Sequence, residues 1–595
     1  MIVASRTGQC LLAVAALAVA SMPLWASAWH MQLAATAIVA SLFALSLQVL
    51  VGATGLVSLA QAGFFGVGAY TVYLLGSPPI WITLPAAVLA AGIAALLIGP
   101  LALRTKGFFF LMTTLAFGQM LFFAFHDTPL GGGTDGLFIP RPALGFPVPR
   151  AARPTVFLLL NLGVLVIVYA GLCWFMRTML GHALQGIRCN ENRMAALGHN
   201  VPRLKLMAFV LAGALAGLAG HMSALTDAFV SPDLLGWHRS AAALLMILLG
   251  GIGALHGPIL GAFALTAIQE AGTLLTDRPR LVEGVVFLAA VLFLRQGLAG
   301  WRPPWRRPRV MPGHDPWVKC TAHPPGLAHI ERGSLANARP DGAFPAEDSA
   351  DGPMMRAENL IRRFGGLLAV DQVSLMLERG ILHAVIGPNG AGKSTLINLL
   401  SGEILLSAGQ IYLNGHDISA WPAWRRGHAG VGRTFQRTNV MRDMTVLENA
   451  RLAAQARAGI GLLRSASSGR VIQTALTALN RAGLADATGT IASTLSHGQA
   501  RLLEIAMVLA GAPVVLLLDE PLAGLGPEET TPVANLLRDL ARDHAVLLVE
   551  HDMDVVFAVA DTITVMVDGS VLATGTPDEI RVSAGVRDAY LGQGV

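Results

Sequence analysis

Ile381-Leu-His-Ala-Val-Ile386 runs directly into Gly387-Pro-Asn389-Gly390-Ala-Gly392-Lys393-Ser394-Thr395. An apolar run this short, closed by glycine, reads as a buried strand, and Leu396 to Leu400 after it reads as the start of a helix. In that setting the glycines let consecutive backbone N–H groups turn inward around a phosphate at a helix N-terminus. Lys393 then reaches the outer phosphate oxygens, and the Ser394 hydroxyl suits Mg2+. Strand, loop and helix in this order predict an α/β domain built around a nucleoside phosphate.

Further along, Val514 to Leu518 is a second apolar strand, and it ends in Asp519-Glu520-Pro521. Asp519 can hold the Mg2+ shell, and Glu520 can orient or deprotonate an attacking water. Two acids at a strand end could be a mere edge. The motifs around them, in fixed order, argue for chemistry instead.

The rest of the chain is of another kind. Of 595 residues, 54% are hydrophobic and only 13% charged, which is outside the usual mix of a soluble domain. The net charge of +5 is no sign of nucleic acid, because a membrane protein collects Lys and Arg on its cytoplasmic side. The four cysteines are scattered without a CxxC pair, so neither a disulfide framework nor a zinc site is indicated.

Residues 1–300 are long apolar runs between short polar turns, 301–353 is a Pro, Arg and Gly-rich tether, and 354–595 carries the α/β pattern. About ten spans of near 20 residues are expected, at 10–28, 31–51, 55–76, 80–101, 107–126, 155–176, 206–225, 240–254, 257–275 and 281–298. The span at 240–254 is short and Gly-rich, so a crossing or a broken helix is expected there. Parity then places Arg104, Lys106, the basic turn from Arg177 to Lys205 and the tether on one side, the cytoplasmic one. The loop 127–154, with Arg141, Arg150 and Arg153, runs against that rule. The first segment also reads as a signal peptide, with Ala26-Ser27-Ala28 as a cleavage site. Gln48, Gln61, Gln119, His221, Gln269 and Glu270 lie at membrane depth and are candidates for a solute path.

Leu495-Ser496-His497-Gly498-Gln499 resembles the signature of the ABC ATPase family. That resemblance implies ATP with Mg2+, and a lid of Ser496, His497, Gly498 and Gln499 laid on the nucleotide of an opposite ATPase. It also implies phosphate binding by Gly387, Asn389, Gly390, Gly392, Lys393, Ser394 and Thr395, and Mg2+ held by Ser394, Gln436 and Asp519. Glu520, His551 and Gln436 are then the hydrolytic residues, and Phe364 stacks on adenine. Phe364-Gly-Gly-Leu, Arg433-Thr-Phe-Gln436, Met444-Thr-Val-Leu-Glu-Asn, Leu503-Glu-Ile-Ala and Glu550-His551-Asp-Met are similar to the G-type ATPase of branched-chain amino-acid importers. Gly526 and Met507 depart from that pattern, where Asn or Asp and Arg are usual.

Gly55 to Tyr70, Leu103 to Gln119, Gly132 to Gly136 and Gly250-Gly-Ile-Gly resemble the M-type permease of the same importers. Gly63, Gly66 and Gly68 are read as packing positions. Gly181 to Gly198 resembles the cytoplasmic coupling segment of such permeases, with Glu191, Ala195 and Gly198 as its marked positions. The resemblance implies a multi-pass inner-membrane importer of branched-chain amino acids, with urea, amides or aromatic acids as alternative solutes. Its partners would be a second permease, a second ATPase or a second copy of this chain, and a periplasmic binding protein. An exporter, the rival, predicts about six long spans and no such coupling segment.

Overall fold

The computed structural model describes residues 6–76, 78–139, 149–275, 284–285, 288–289, 292, 297–300, 353–458 and 468–591. The expected tether 301–353, except its last residue, and most of the expected span 281–298 lie outside them, as do Arg141 and its neighbours. The chain packs as two compact units, Met1–Arg188 with Pro202–Arg307, and Cys189–Val201 with Pro308–Val595.

In the first unit the helices are α1 (Arg6–Ala20), α2 (Ala28–Thr54), α3 (Gln61–Leu74), α4 (Ile80–Ala102), α5 (Phe108–His126), α6 (Arg153–Met176), α7 (Met179–Cys189), α9 (Val201–Asp227), α10 (Trp237–Gly250) and α11 (Gly257–Leu275). Five of them, α2, α4, α5, α6 and α9, are long and apolar enough to cross a bilayer. The most apolar window of α2 is 83% buried against 17% for α5, so α2 is wrapped by protein, packing on α6, α10 and α11, while α5 shows most of itself outward. Ser27, read above as part of a cleavage site, caps α2: its Oγ accepts from the His30 N–H. A two-stranded antiparallel pair, β1 (Leu137–Phe138) with β2 (Phe229–Val230), joins the loop after α5 to the segment after α9.

Two expected spans break where their glycines lie. The span at 55–76 is helical only from Gln61, because Gly55 closes α2 at φ 75° and leaves residues 55–60 outside any helix. Backbone groups at membrane depth need partners. Leu59 N–H donates to Thr114 Oγ1 (3.1 Å), and Ser240 Oγ donates to Leu59 O (2.8 Å) while accepting from Ala62 N–H (2.9 Å). The short span at 240–254 ends as a helix at Gly250, and Gln48 Nε2 donates to the turn carbonyls of Ile252 (2.8 Å) and Ala254 (3.3 Å). Gly68 is a true close approach: a Cβ there would lie 2.1 Å from Gly217 O of α9.

The second unit is built on a six-stranded sheet of order β12-β11-β5-β10-β9-β8. Its strands are β5 (Leu382–Ile386), β8 (Val431–Arg433), β9 (Val515–Asp519), β10 (Ala545–Val549), β11 (Thr562–Val567) and β12 (Ser570–Gly575). All neighbours pair parallel except the β11–β12 edge. Every residue of β5, β9 and β10 is buried, as a sheet covered on both faces requires. An antiparallel sheet of order β4-β3-β6-β7 uses β3 (Met355–Phe364), β4 (Leu367–Leu377), β6 (Ala408–Leu413) and β7 (His416–Asp417). Val385, Leu396, Leu517, Leu547 and Val549 share one core. The short helix α8 (Glu191–Ala196) belongs to this unit as well, although its place in the chain is between α7 and α9.

Candidate functional site

Four parallel strands end on the same side, and each delivers one sequence-predicted motif, as crevices at the carboxyl ends of open α/β sheets do. The phosphate loop follows β5, Asp519-Glu520 closes β9, His551 follows β10 and Gln436 follows β8. At Gly387 a Cβ would lie 2.1 Å from Met566 O of β11, so no side chain fits there. Gly390 and Gly392 take φ of 87° and 93°, which turns the loop into the helix Lys393–Ser401. Lys393 Nζ donates to Gly387 O (2.6 Å) and Pro388 O (2.9 Å). Burial lowers the Lys393 ammonium from its ordinary value, and the nearby Glu520 and Asp519 pull it the other way. Asn389, Gly390 and Ser394 are exposed at the rim and Thr395 is half-buried.

Asp519 is buried, and its N–H donates to Thr434 Oγ1 (3.2 Å). Burial raises its carboxyl above the ordinary range, with Arg433 opposing, and its Oδ1 has no hydrogen-bond partner among the described residues. Glu520 sits at φ 46°, a region non-glycine residues seldom enter, and its N–H is held by Val549 O at 2.8 Å. Gln436 Nε2 donates to Glu520 Oε2 at 3.0 Å, so these two predicted residues do meet. His551 keeps 63% of its side chain exposed, with Nδ1 3.7 Å from Glu550 Oε2.

The other predicted residues stand apart from that cluster. Phe364 is 42% exposed at the end of β3, with the Arg362 guanidinium 4.6 Å from its ring centre. Ser496 caps the helix His497–Ala510: its Oγ accepts from Gln499 N–H (3.2 Å) and Gln499 Oε1 accepts from Ser496 N–H. Its hydroxyl also donates to Glu529 Oε1 at 3.2 Å, and a Cβ on Gly498 would meet the same Glu529 side chain. The lid residues thus bond to each other and to Glu529, not to the phosphate loop of their own chain. Met507 is fully buried in that helix, and Gly526 precedes the helix Pro527–Asp543 with no side chain to cap it.

In the coupling segment, Asn190 Oδ1 caps α8 through Arg193 N–H (2.9 Å). Glu191 and Ala195 are half-buried, while Gly198 is buried at φ 95°, where a Cβ would lie 2.9 Å from His428 N.

A family model for the branched-chain amino acid transport system / permease component matches residues 30–294. An ABC transporter model matches 370–523, and a branched-chain amino acid ATP-binding cassette transporter model matches 570–595. The high-affinity branched-chain amino acid transport ATP-binding protein LivG of Salmonella typhimurium is 41% identical over 251 residues, 40% of this chain and 98% of that protein. BraF of Pseudomonas aeruginosa, described in the same words, is 38% identical over the same shares of each chain. The chain belongs to the branched-chain amino-acid ABC transporter family. A solved nucleotide-free ATP-binding cassette from an ABC transporter is 30% identical over 40% of this chain and 98% of that one, with a TM-score of 0.36.

In this ABC transporter chain an all-α, multi-pass permease half precedes an α/β ATPase half, as the sequence led one to expect. The exporter alternative falls with the permease match. Four residues to which the sequence reading assigned no catalytic role adjoin these groups. Glu550, 1% exposed, accepts from Leu522 N–H (2.8 Å) and His551 N–H (3.3 Å), tying the ends of β9 and β10 together. Arg501, Glu504 and Arg193 form a buried chain of charges behind Glu520. The signal available for them was slight: Arg501 and Glu504 are charged residues inside one largely apolar helix, Arg193 lies in a short polar helix of a basic turn, and Glu550 follows an apolar strand.

Proposed function

We propose that the chain is the fused permease and ATPase of an importer that moves branched-chain amino acids across the inner membrane, with its ATPase half in the cytoplasm. The observation that carries this reading is the occurrence, on one polypeptide, of a branched-chain permease match over 30–294 and an acid, Glu520, set 3.0 Å from Gln436 beside a phosphate loop.

In this reading Lys393 and the N–H groups of Gly387, Asn389, Gly390, Gly392, Ser394 and Thr395 bind the phosphates of ATP. Phe364 stacks on the adenine. The oxygen donors Ser394, Gln436 and Asp519 suit Mg2+, and the unpartnered Asp519 Oδ1 fits such an ion. When bound, Mg2+ supplies charge neutralisation at the phosphate oxygens. Glu520 accepts a proton from the attacking water while Gln436 holds the carboxylate in place, and His551 contacts the terminal phosphate. Ser496, His497, Gly498 and Gln499 close over the nucleotide of a second ATPase, so the working unit holds two ATPases. They come from a partner subunit or a second copy of this chain. A second permease and a periplasmic binding protein complete the complex.

Uptake of labelled solutes by cells expressing the complex tests this. Saturable accumulation of Leu, Ile and Val, lost with Glu520→Gln, is the expected result. Accumulation of urea, amides or aromatic acids in place of Leu, Ile and Val would overturn the solute assignment.

A further inference from the structure

Arg193 and Glu504 are each fully buried, 311 residues apart in sequence and 3.4 Å apart in space. Arg193 comes from α8, on the segment Cys189–Val201 that interrupts the permease half, whereas Glu504 lies in the helix that begins with the ABC signature. The guanidinium also donates to two carbonyls, through Nη1 to Arg433 O (2.9 Å) and through Nη2 to Glu504 O (3.0 Å).

The carboxylate of Glu504 is the hub. Its Oε1 accepts from Phe435 N–H (3.0 Å), the residue before Gln436, and its Oε2 accepts from Arg501 Nη1 (2.6 Å). Arg501 in turn grips the backbone that carries the acids: Nη2 donates to Asp519 O (2.9 Å) and to Glu520 O, and Nε donates to Pro521 O (3.0 Å). Three consecutive carbonyls, including that of the residue held at φ 46°, are thus fixed by one side chain whose ion-pair partner is Glu504.

We propose that Arg193 is a positioning residue for ATP hydrolysis, a cation lent by the permease half that completes the Glu504–Arg501 pair and so sets the backbone of Glu520 and the amide of Gln436. Taking Arg193 away leaves the Glu504–Arg501 pair but strips one donor from the buried Glu504 Oε1, Arg433 O and Glu504 O, a loss that relaxes by shifting the groups bonded to them. The segment is anchored independently of this charge, by the Asn190–Asn439 hydrogen bond and by His199 Nε2 on Leu452 O (2.8 Å). A change at Arg193 therefore acts on the charge network before it acts on docking. The inference rests on the ATPase reading of Glu520 but not on which solute is carried.

The test uses the full chain in its complex and reads ATP turnover with no solute added, so a wrong solute assignment leaves the result readable. Arg193→Met is expected to lower kcat by about 10²-fold, the effect of misplacing a reacting group by about 1 Å, with KM for ATP unchanged. Arg193→Lys keeps the charge but loses one carbonyl contact and falls between. Arg193→Met combined with Glu504→Gln is expected to lose less than the product of the two single losses, since both changes act through the same Glu504–Arg501 network. Wild-type kcat in Arg193→Met, or losses that multiply in the double variant, would overturn the proposal. If Arg193→Met does not assemble, Arg193→Lys decides: a lowered kcat at unchanged KM supports the role, and an unchanged kcat rejects it.

Discussion

The two halves handle buried polarity in opposite ways. The ATPase unit buries Arg193, Arg426, Arg433, Arg501, Glu504, Asp519 and Glu550, nearly all of them in ion pairs or on backbone carbonyls and N–H groups. The membrane unit buries Ser58, Gln48, Gln61, Thr114, Asn161, His221 and Ser240, all neutral, and among the described residues Lys205 is its one formally charged buried side chain. A charge out of water is tolerable only with partners at close range, and a water-facing domain can assemble several around one hub. Helices in lipid stitch themselves instead with amides and hydroxyls, each bond worth little but leaving no ion in hydrocarbon.

The comparison can be pressed from both sides. On the charged side, Glu520→Gln should lower ATP turnover by about 10²- to 10⁴-fold while nucleotide still binds, the range for loss of a general base; full turnover in a phosphate-release assay would remove Glu520 from that role. On the neutral side, Gly68→Val would drive a side chain into Gly217 O and cost about 3 kcal/mol. It should appear as lost yield and a lower inactivation temperature, and a wild-type melting curve would mean that α3 and α9 do not meet as closely as described.

His199 lies on the Cys189–Val201 segment of the ATPase unit. Burial pushes its imidazole down to about 4, with the Leu452 carbonyl opposing. Above pH 6.5 the ring is neutral folded or unfolded, so it imposes no pH dependence there. As pH falls from 6.5 toward 4, the unfolded chain takes a proton that the folded one refuses, and stability is lost, by about 2 kcal/mol at pH 5. Thermal inactivation should therefore be markedly faster at pH 5 than at pH 7.5, and His199→Gln should narrow that gap; equal gaps in both proteins would count against the buried neutral ring. The smallest effect belongs to Thr83→Val, which takes away the hydroxyl 2.8 Å from His221 Nε2 and should cost about 0.6 kcal/mol. A loss of several kcal/mol on chemical unfolding in detergent would mean that the membrane half leans on single polar bonds as heavily as the ATPase half does.

Of the polar residues picked out at membrane depth, the structure separates three kinds. Gln48 and His221 bond neighbouring elements, Gln61 is buried with no partner for its amide among the described residues, and Gln119, Gln269 and Glu270 are half-buried or exposed. Periodicity in an apolar run cannot tell these apart, because it reports that a residue is in the membrane and not which way it faces.

Sequence alone determined the two halves, their order and the glycine-rich loop proposed to bind phosphate. Gly387 to Thr395 is contiguous, and its chemistry lies in backbone torsions that neighbouring residues impose on each other. The breaks at Gly55 and Gly250 were half legible: the glycines are visible, but the backbone groups they free are met by Thr114 and Ser240 at the first and by Gln48 at the second, all from elsewhere in the chain. The pairing of Arg193 with Glu504 was decided by tertiary structure only. No window of sequence holds both partners, and an arginine in a basic turn looks like any other until folding removes it from water and leaves it one carboxylate to meet.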